Sequence, residues 1–207
     1  WTDGSEWPGS PKKYYESPSA AMEDAGNNQA DATDCGEFQR DGSPVTDYSY
    51  ADGISASNAL YRLSLYSAAY RTNATPFFLA VGFYKPHLPF NSPKKYWDLY
   101  DANDIDVSAY DGLKHLPVGT LPFTAPGSTE PCSYSNIGGV PSPTNDVPTQ
   151  AQARRLIHAY LACVSYVDAQ VGKLLNALET NEVATNTIVV FWGDHGWHLA
   201  DHGAFWA

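Results

Sequence analysis

An aspartate and a histidine lie side by side near the end of the sequence, in the stretch "TIVVFWGDHGWHLADHG" at residues 187–203. An apolar run leads directly into Gly193, Asp194, His195 and Gly196. Because glycine relaxes the backbone, both side chains can turn toward one point. A carboxylate suits hard cations such as Ca²⁺ or Mg²⁺, and an imidazole extends the choice to zinc or manganese. The pair therefore predicts part of a divalent cation site; the alternative is a helix-capping Asp beside a purely structural His.

A second set of polar side chains follows another apolar run, in "AVGFYKPHLPF" at residues 80–90. This stretch contains Lys85 and His87, and the first stretch also contains His198. In open α/β sheets, ligands collect at the carboxyl ends of the strands, so we expect the two stretches to form one site. The alternatives are a solvated surface lysine and a histidine that is only packed between two prolines.

The first half of the chain contains one predicted helix and one predicted strand. Residues 1–54 are rich in Gly, Pro, Ser, Asp and Asn and read as an irregular, loop-rich region. Apolar spacing predicts a helix at 55–70, and the run "PFFLAVGF" predicts a strand at 76–83 buried on both faces. Residues 91–148 read as a long, insertion-like loop. Its aromatic residues indicate either a carbohydrate cleft or loop packing: Tyr96, Trp97, Tyr100 and Phe123.

The last segment, residues 149–207, contains the clearest helix and the second predicted strand. Thr149 and Gln152 form a capping-box pattern at the start of a helix that ends near residues 179–181. The run "TIVVFW" at 187–192 then predicts a buried strand, and a helix that leads into such a strand is typical of an α/β fold with a mostly parallel sheet. The predicted apolar face of the helix comprises Leu156, Ile157, Tyr160, Leu161, Val164, Val167, Val171, Leu174, Leu175 and Leu178.

Composition excludes several classes of partner. The 207 residues carry a formal net charge of −11, which argues against nucleic acid and against an anionic membrane surface. No apolar run is long enough to span a membrane. The sequence starts at Trp1, and its first fifty residues resemble the middle of a protein, so we expect a fragment or a processed product.

The three cysteines have no spacing typical of a zinc site. Cys163 lies within the helical pattern and is predicted to be a buried thiol, whereas Cys35 and Cys132 are predicted to lie in polar loops, where a disulfide can form. Asn73 begins an N-glycosylation triplet. These features favour a secreted, periplasmic or lysosomal location.

Residues 55–100 and 150–203 closely resemble the sulfatases of the alkaline-phosphatase superfamily. The resemblance rests on the combined pattern "PFFLAVGFYKPHLPF", the helix with "SYVDAQVG", and "DHGW". It is greatest to the iduronate-2-sulfatase branch. The resemblance implies an alkaline-phosphatase-like α/β domain, with a mostly parallel sheet flanked by helices, of which this chain forms a part.

The same resemblance implies roles for individual residues. Asp194 and His195 match a pair of calcium ligands, and His87 matches a histidine that faces the sulfate ester and assists the leaving group or binds the anion. Lys85 and His198 are expected on the substrate side. Asp168, on the long helix, also matches a family position and is expected to be structural. His202 is expected only to help position its loop, and His115 and His158 are assigned no role.

The nucleophile expected for this family is missing. Sulfatases use a formylglycine made from the first residue of a C/S-x-P-S/A-R motif, and none of "CGEFQ" at Cys35, "CSYSN" at Cys132, "CVSYV" at Cys163 or "SPSAA" at Ser17 fits. The first acidic metal-ligand pair and a later lysine are also absent. We therefore expect truncation at both ends, with the formylglycine upstream of Trp1, and an isolated chain that is inactive.

The expected function is that of a sulfatase fragment acting on sulfate esters of a sugar or polysaccharide, with Ca²⁺ or another divalent cation bound. Two alternatives stay open. One is a phosphatase or phosphodiesterase of the same superfamily, which uses a Thr, Ser or formylglycine nucleophile. The other is a catalytically inactive homologue that acts as a binding module, in which metal would produce no stabilisation.

Overall fold

The described part of the protein contains two long helices. The computed structural model describes residues 31–39, 41–108, 130–143 and 148–199, without the side chains of residues 130 and 132. Helix α1 is Ala51–Asn73 and is longer at both ends than the predicted helix. It ends because Ala74 adopts a left-handed conformation (φ 57°) while its N–H donates to the Tyr70 carbonyl.

The longest helix begins and ends close to where the sequence predicts. It spans Gln150–Thr180, and we number it α3 because a short helical turn, α2 (Lys94–Trp97), precedes it. Thr149 is the N-cap: its hydroxyl accepts from the Gln152 N–H, and the Gln152 side chain accepts from the Thr149 N–H at 2.9 Å. This reciprocal pair confirms the predicted capping box.

A parallel pair of strands packs against α3. β1 (Thr33–Gly36) pairs with β2 (Phe90–Pro93) in parallel, with Thr33 opposite Phe90 and Gly36 opposite Pro93. All four residues of β2 are buried. The sequence analysis placed β1 in an irregular region, because "TDCG" has neither alternation nor a continuous apolar run. The parallel pair and its covering helices agree with the predicted α/β class.

The predicted long loop contains a small hairpin. β3 (Asn136–Ile137) pairs antiparallel with β4 (Val140–Pro141), and the Gln152 amide of α3 donates to the Pro141 carbonyl at 3.0 Å. Part of this loop is therefore attached to the core. Short 3-10 turns complete the described elements, at Asp47–Ser49, Ala102–Asp104, Glu130–Ser133 and Ala184–Asn186.

Helix α3 buries a face that only partly overlaps the predicted one: Leu156 belongs to both, and Ile157 and Tyr160 are partly buried against the core. Within the predicted face, Val164 is 40% exposed and Leu175 is 44% exposed. The sheet and α1 instead pack against a face that includes small residues, which allow backbones to approach closely, together with one tyrosine and one glutamine. The buried residues of this face are Leu156, Ala159, Ala162, Cys163, Tyr166 and Gln170.

The two predicted buried strands are wrong. Residues 76–83 and 187–192 are extended, but neither has a ladder partner among the described residues. Their side chains lie open to solvent: Phe78 is 83% exposed, Ile188 91% and Trp192 76%. A strand requires a neighbour for its backbone hydrogen bonds, and an apolar run does not supply one by itself.

The aromatic residues of the predicted loop belong mostly to the core. Tyr96 and Trp97 are buried, which favours the packing alternative over a carbohydrate cleft. The Tyr100 hydroxyl lies 2.6 Å from the Ser165 hydroxyl of α3, and Phe123 lies outside the described residues. His158 packs its ring 4.7 Å from the Trp97 ring.

The cysteine predictions are partly confirmed. Cys163 is fully buried, as predicted, and its thiol donates to the Asn91 carbonyl at 3.4 Å. Cys35 lies in β1 rather than in a polar loop, and the side chain of Cys132 lies outside the description. Asp168 is exposed on α3, and its structural role stays a prediction. Over the described residues, none of the helices combines the length and apolar character needed to cross a bilayer.

Candidate active site

The "KPH" segment forms a compact loop held from the inside by its own lysine. Lys85 is only 9% exposed, which contradicts the solvated-lysine alternative. Its ammonium donates to the His87 carbonyl at 3.1 Å and also to the Pro89 carbonyl. The Lys85–Pro86 and Leu88–Pro89 bonds are both cis. Lys85 therefore satisfies backbone acceptors of the loop, and its contact with a substrate stays a prediction.

His87 lies at the exposed surface of this loop with one ring nitrogen engaged. Nδ1 lies 2.8 Å from the Leu88 carbonyl oxygen. Because a carbonyl only accepts hydrogen bonds, Nδ1 carries the proton, and Nε2 is left to exchange a proton with a bound molecule. The ring also packs 4.8 Å from that of Tyr84, so its orientation is constrained on one side.

Trp197 brings the "DHGW" segment to the "KPH" loop. Its ring centroid lies 6.3 Å from that of His87 and 5.3 Å from that of Phe90, which is fully buried in β2. Both contacts are edge-to-face, a favoured geometry for aromatic rings. Two segments more than a hundred residues apart in sequence are therefore in contact through Trp197.

Asp194 and His195 lie just before this tryptophan and are exposed. One carboxylate oxygen of Asp194 accepts from the His195 N–H at 3.0 Å, and the other lies 4.0 Å from His195 Nε2. His195 Nδ1 faces the Gly196 carbonyl at 3.3 Å, which leaves Nε2 as the available nitrogen. Two donors 4.0 Å apart can both reach one cation at the usual distance of about 2.3–2.6 Å.

These two donors would make only part of a cation shell. Within the described stretches, no group of three or more His, Cys, Asp or Glu side chains is arranged to hold a metal. His198 is exposed beside Trp197, and its substrate contact stays a prediction. His115 and His202 lie outside the described residues. The donor chemistry fits a hard cation, with further ligands required.

Sequence reasoning missed a buried carboxylate behind the "KPH" loop. Asp52, in the first turn of α1, is 2% exposed, and its two oxygens accept from the Tyr84 and Lys85 N–H groups at 2.8 Å each. Burial raises the pKa of this carboxyl group, although both hydrogen bonds and the Lys85 charge act in the opposite direction. No local pattern links position 52 to positions 84 and 85.

The start of α1 is in turn held by α3. The Tyr166 hydroxyl accepts from the Gly53 N–H at 2.6 Å and donates to the Asp47 carbonyl at 2.7 Å. Burial disfavours the charge on the Asp47 carboxylate, but ion pairs from Lys173 (2.6 Å) and Lys95 (2.7 Å), with a Tyr96 hydrogen bond, outweigh it and lower its pKa to about 2.

Comparison with known proteins gives a consistent result. The sulfatase family model matches residues 13–205. The chain is 42% identical over 141 residues to iduronate 2-sulfatase of Homo sapiens, a match that covers 66% of this chain and 24% of the relative. A sulfatase of Formosa agariphila is 38% identical over 132 residues, covering 63% of this chain and 24% of the relative.

A more distant relative has a different named substrate. The choline-sulfatase of Rhizobium meliloti is 32% identical over 155 residues, with 72% of this chain and 26% of the relative covered. Across these three proteins, the chain spans about a quarter of the relative's length.

Proposed function

The chain belongs to the sulfatase family, and on that basis we propose that it forms part of the catalytic domain of an enzyme that hydrolyses sulfate esters. The observation that carries the proposal is the contact of Trp197 with His87. It joins the segment with the cation donors to the segment with an available imidazole nitrogen. A site for a sulfate ester needs both features, because negative charge must be stabilised and a leaving alcohol must receive a proton.

His87 acts at the leaving group in this proposal. Its Nδ1 proton is donated to the Leu88 carbonyl, so only Nε2 is free to deliver a proton to the departing oxygen or to bind the anion. The neighbouring rings of Trp197 and Tyr84 limit rotation of the His87 ring. Lys85 lies two residues before His87, and His198 directly follows Trp197. In this proposal both supply positive charge or hydrogen bonds on the substrate side.

Asp194 and His195 hold the cation, which is Ca²⁺ in this proposal, with Mg²⁺ or another divalent ion as the alternative. When bound, the cation supplies positive charge that stabilises the sulfuryl oxygens. The Asp194 carboxylate and the His195 imidazole would hold it, and further ligands would come from elsewhere in the protein. The exposure of both side chains leaves room for those ligands.

The nucleophile comes from another part of the protein. None of the 207 residues begins a C/S-x-P-S/A-R motif, so the formylglycine is not made from this chain. The chain then supplies one wall of the pocket and is inactive in isolation. The substrate is a sulfated sugar or polysaccharide, a choice supported by the names of the similar iduronate 2-sulfatases.

The test of this proposal uses the full-length protein that contains the chain, assayed with an aryl sulfate, a sulfated sugar and the matching phosphate ester. We expect sulfate ester hydrolysis, and a loss of about 10²–10⁴-fold in kcat for His87→Ala. Asp104→Asn, an exposed carboxylate in a 3-10 turn, is the control and keeps full activity. Hydrolysis of only the phosphate ester would favour the phosphatase alternative, and no hydrolysis would favour the inactive homologue.

The cation proposal has a separate test. Ca²⁺ added to the full-length protein raises the melting temperature, since a ligand that binds only the folded state stabilises it. Asp194→Asn reduces this shift and Asp104→Asn does not. If Ca²⁺ raises the melting temperature of the wild type, Asp194→Asn and Asp104→Asn by the same amount, the assignment of Asp194 is contradicted.

A further inference from the structure

The "KPH" loop has few backbone donors with which to fix its shape. Two of its six residues from Tyr84 to Pro89 are prolines, which have no N–H group. The His87 N–H donates within the loop, to the Tyr84 carbonyl at 3.0 Å. The Tyr84 and Lys85 N–H groups instead point out of the loop, and both donate to Asp52.

Asp52 is unusual because it places a carboxylate in the interior. Burial of a charged or polar group destabilises the fold unless it is compensated by hydrogen bonds or an opposite charge. Here each oxygen has a backbone donor at 2.8 Å, and the buried Lys85 ammonium lies on the same loop. The two N–H groups belong to consecutive residues, so one side chain fixes the orientation of both peptide units.

The backbone that carries Asp52 is itself held in place. The next residue, Gly53, donates to the Tyr166 hydroxyl, which donates to the Asp47 carbonyl. A Cβ atom at Gly53 would lie 1.8 Å from the Asp47 oxygen, so no other residue type fits this close approach. A continuous series of short contacts therefore leads from α3 through the start of α1 to the loop.

We propose that Asp52 is a positioning residue that fixes the "KPH" backbone and thereby holds the His87 imidazole against Trp197. Its consequence for catalysis rests on the function proposed above, whereas its effect on His87 does not. Asp52 directly precedes Gly53, and its two carboxylate oxygens accept from the backbone N–H groups of Tyr84 and Lys85. It contacts the loop from behind, so it acts through the loop and not on the substrate.

A purely stabilising role predicts a different result from a positioning role. If Asp52 only stabilises the fold, the Asp52→Asn protein has a lower melting temperature than the wild type, but its His87 ring keeps its native surroundings while the protein is folded. If Asp52 positions the loop, the same variant changes the magnetic environment of the His87 ring even under conditions where the protein is fully folded. The ring lies beside Tyr84 and Trp197, whose ring currents make its signals sensitive to small displacements.

The test compares Asp52→Asn with Asp104→Asn in the 207-residue chain. We expect the His87 ring resonances to shift or broaden in Asp52→Asn, because an amide has only one accepting oxygen for two N–H donors. Asp104→Asn leaves them at the wild-type positions. A folded Asp52→Asn protein with unchanged His87 resonances would overturn the proposal.

The wild-type chain provides a second measurement that needs no folded variant. The amide protons of Tyr84 and Lys85 are expected to exchange slowly with solvent, because each is bonded to a buried carboxylate. Exchange at the rate of an open loop would overturn the proposal regardless of how the variants fold.

The full-length enzyme then gives the catalytic consequence. We expect Asp52→Asn to lower kcat by about 100-fold with a smaller change in KM, since a misplacement of about 1 Å has an effect of that size. An unchanged kcat would overturn the catalytic part. If the wild-type protein hydrolyses no sulfate ester, the proposed function fails, while the His87 resonances still decide whether Asp52 positions the loop.

Discussion

Replacement of Gly53 by alanine tests the contact that holds the start of α1 against α3. The added Cβ would lie 1.8 Å from the Asp47 carbonyl oxygen, 2.4 Å from its carbon and 2.9 Å from the Tyr166 hydroxyl. Two of these atoms are backbone and the third is the end of a fully buried ring, so no flexible side chain can move aside. To relieve the clash, the start of α1 must shift by about 1 Å or more, a typical response to overpacking.

That shift separates the groups that the Tyr166 hydroxyl joins. The hydrogen bonds at 2.6 Å and 2.7 Å are broken or lengthened, and a buried donor or acceptor without a partner costs about 1–3 kcal/mol. Overpacking adds about 1–3 kcal/mol. The better helix propensity of alanine returns up to about 1 kcal/mol. Taken together, these contributions predict that Gly53→Ala lowers the free energy of unfolding by about 1–6 kcal/mol.

Gly172→Ala is the matched control, because Gly172 lies inside α3 and a Cβ there meets no described atom within 4 Å. It should raise the free energy of unfolding by about 0.4–1 kcal/mol, since alanine restricts the unfolded chain and favours the helix. Urea unfolding followed by tryptophan fluorescence measures both variants, with midpoints compared at equal m-values. A Gly53→Ala midpoint equal to or above that of the wild type would refute the reasoning.

Three further predictions concern Asp47, Cys163 and Trp197. The lowered pKa of the Asp47 carboxyl group, about 2 against a usual 3.8, corresponds to about 2 kcal/mol of stabilisation that is fully present above pH 4 and is lost as the pH falls toward 2. Asp47→Asn should therefore be less stable than the wild type at pH 7 and about equal at pH 2 in urea titrations, and a constant difference would contradict the ion pairs with Lys173 and Lys95. Burial raises the pKa of the Cys163 thiol to about 12, so iodoacetamide at pH 8 should leave it unmodified until urea unfolds the protein, as mapped by mass spectrometry. Trp197→Ala removes two aromatic contacts, each worth about 0.5–1.5 kcal/mol, and should shift the His87 ring resonances; unchanged signals would show that Trp197 does not bring the two segments together.

The sequence alone determined the parts of the structure that depend on near neighbours. The capping box joins Thr149 and Gln152, which are three residues apart, and each α-helical hydrogen bond joins residues four apart. Because these interactions are local, the start and end of α3 could be predicted from the sequence. The family resemblance was also available, because it rests on motifs read directly from residues 76–90 and 160–197. The candidate donors Asp194 and His195 came from the same motifs.

Tertiary structure alone decided which distant groups meet. Residues 76–83 and 187–192 have the composition of buried strands, yet they find no ladder partner in the described residues, while the short, polar β1 pairs with β2. The buried face of α3 was likewise chosen by the sheet and α1. Asp52 reaches Tyr84 and Lys85 across more than thirty residues. Strand pairing and buried hydrogen bonds of this kind join groups that are far apart in sequence, and no local pattern encodes the partner of each.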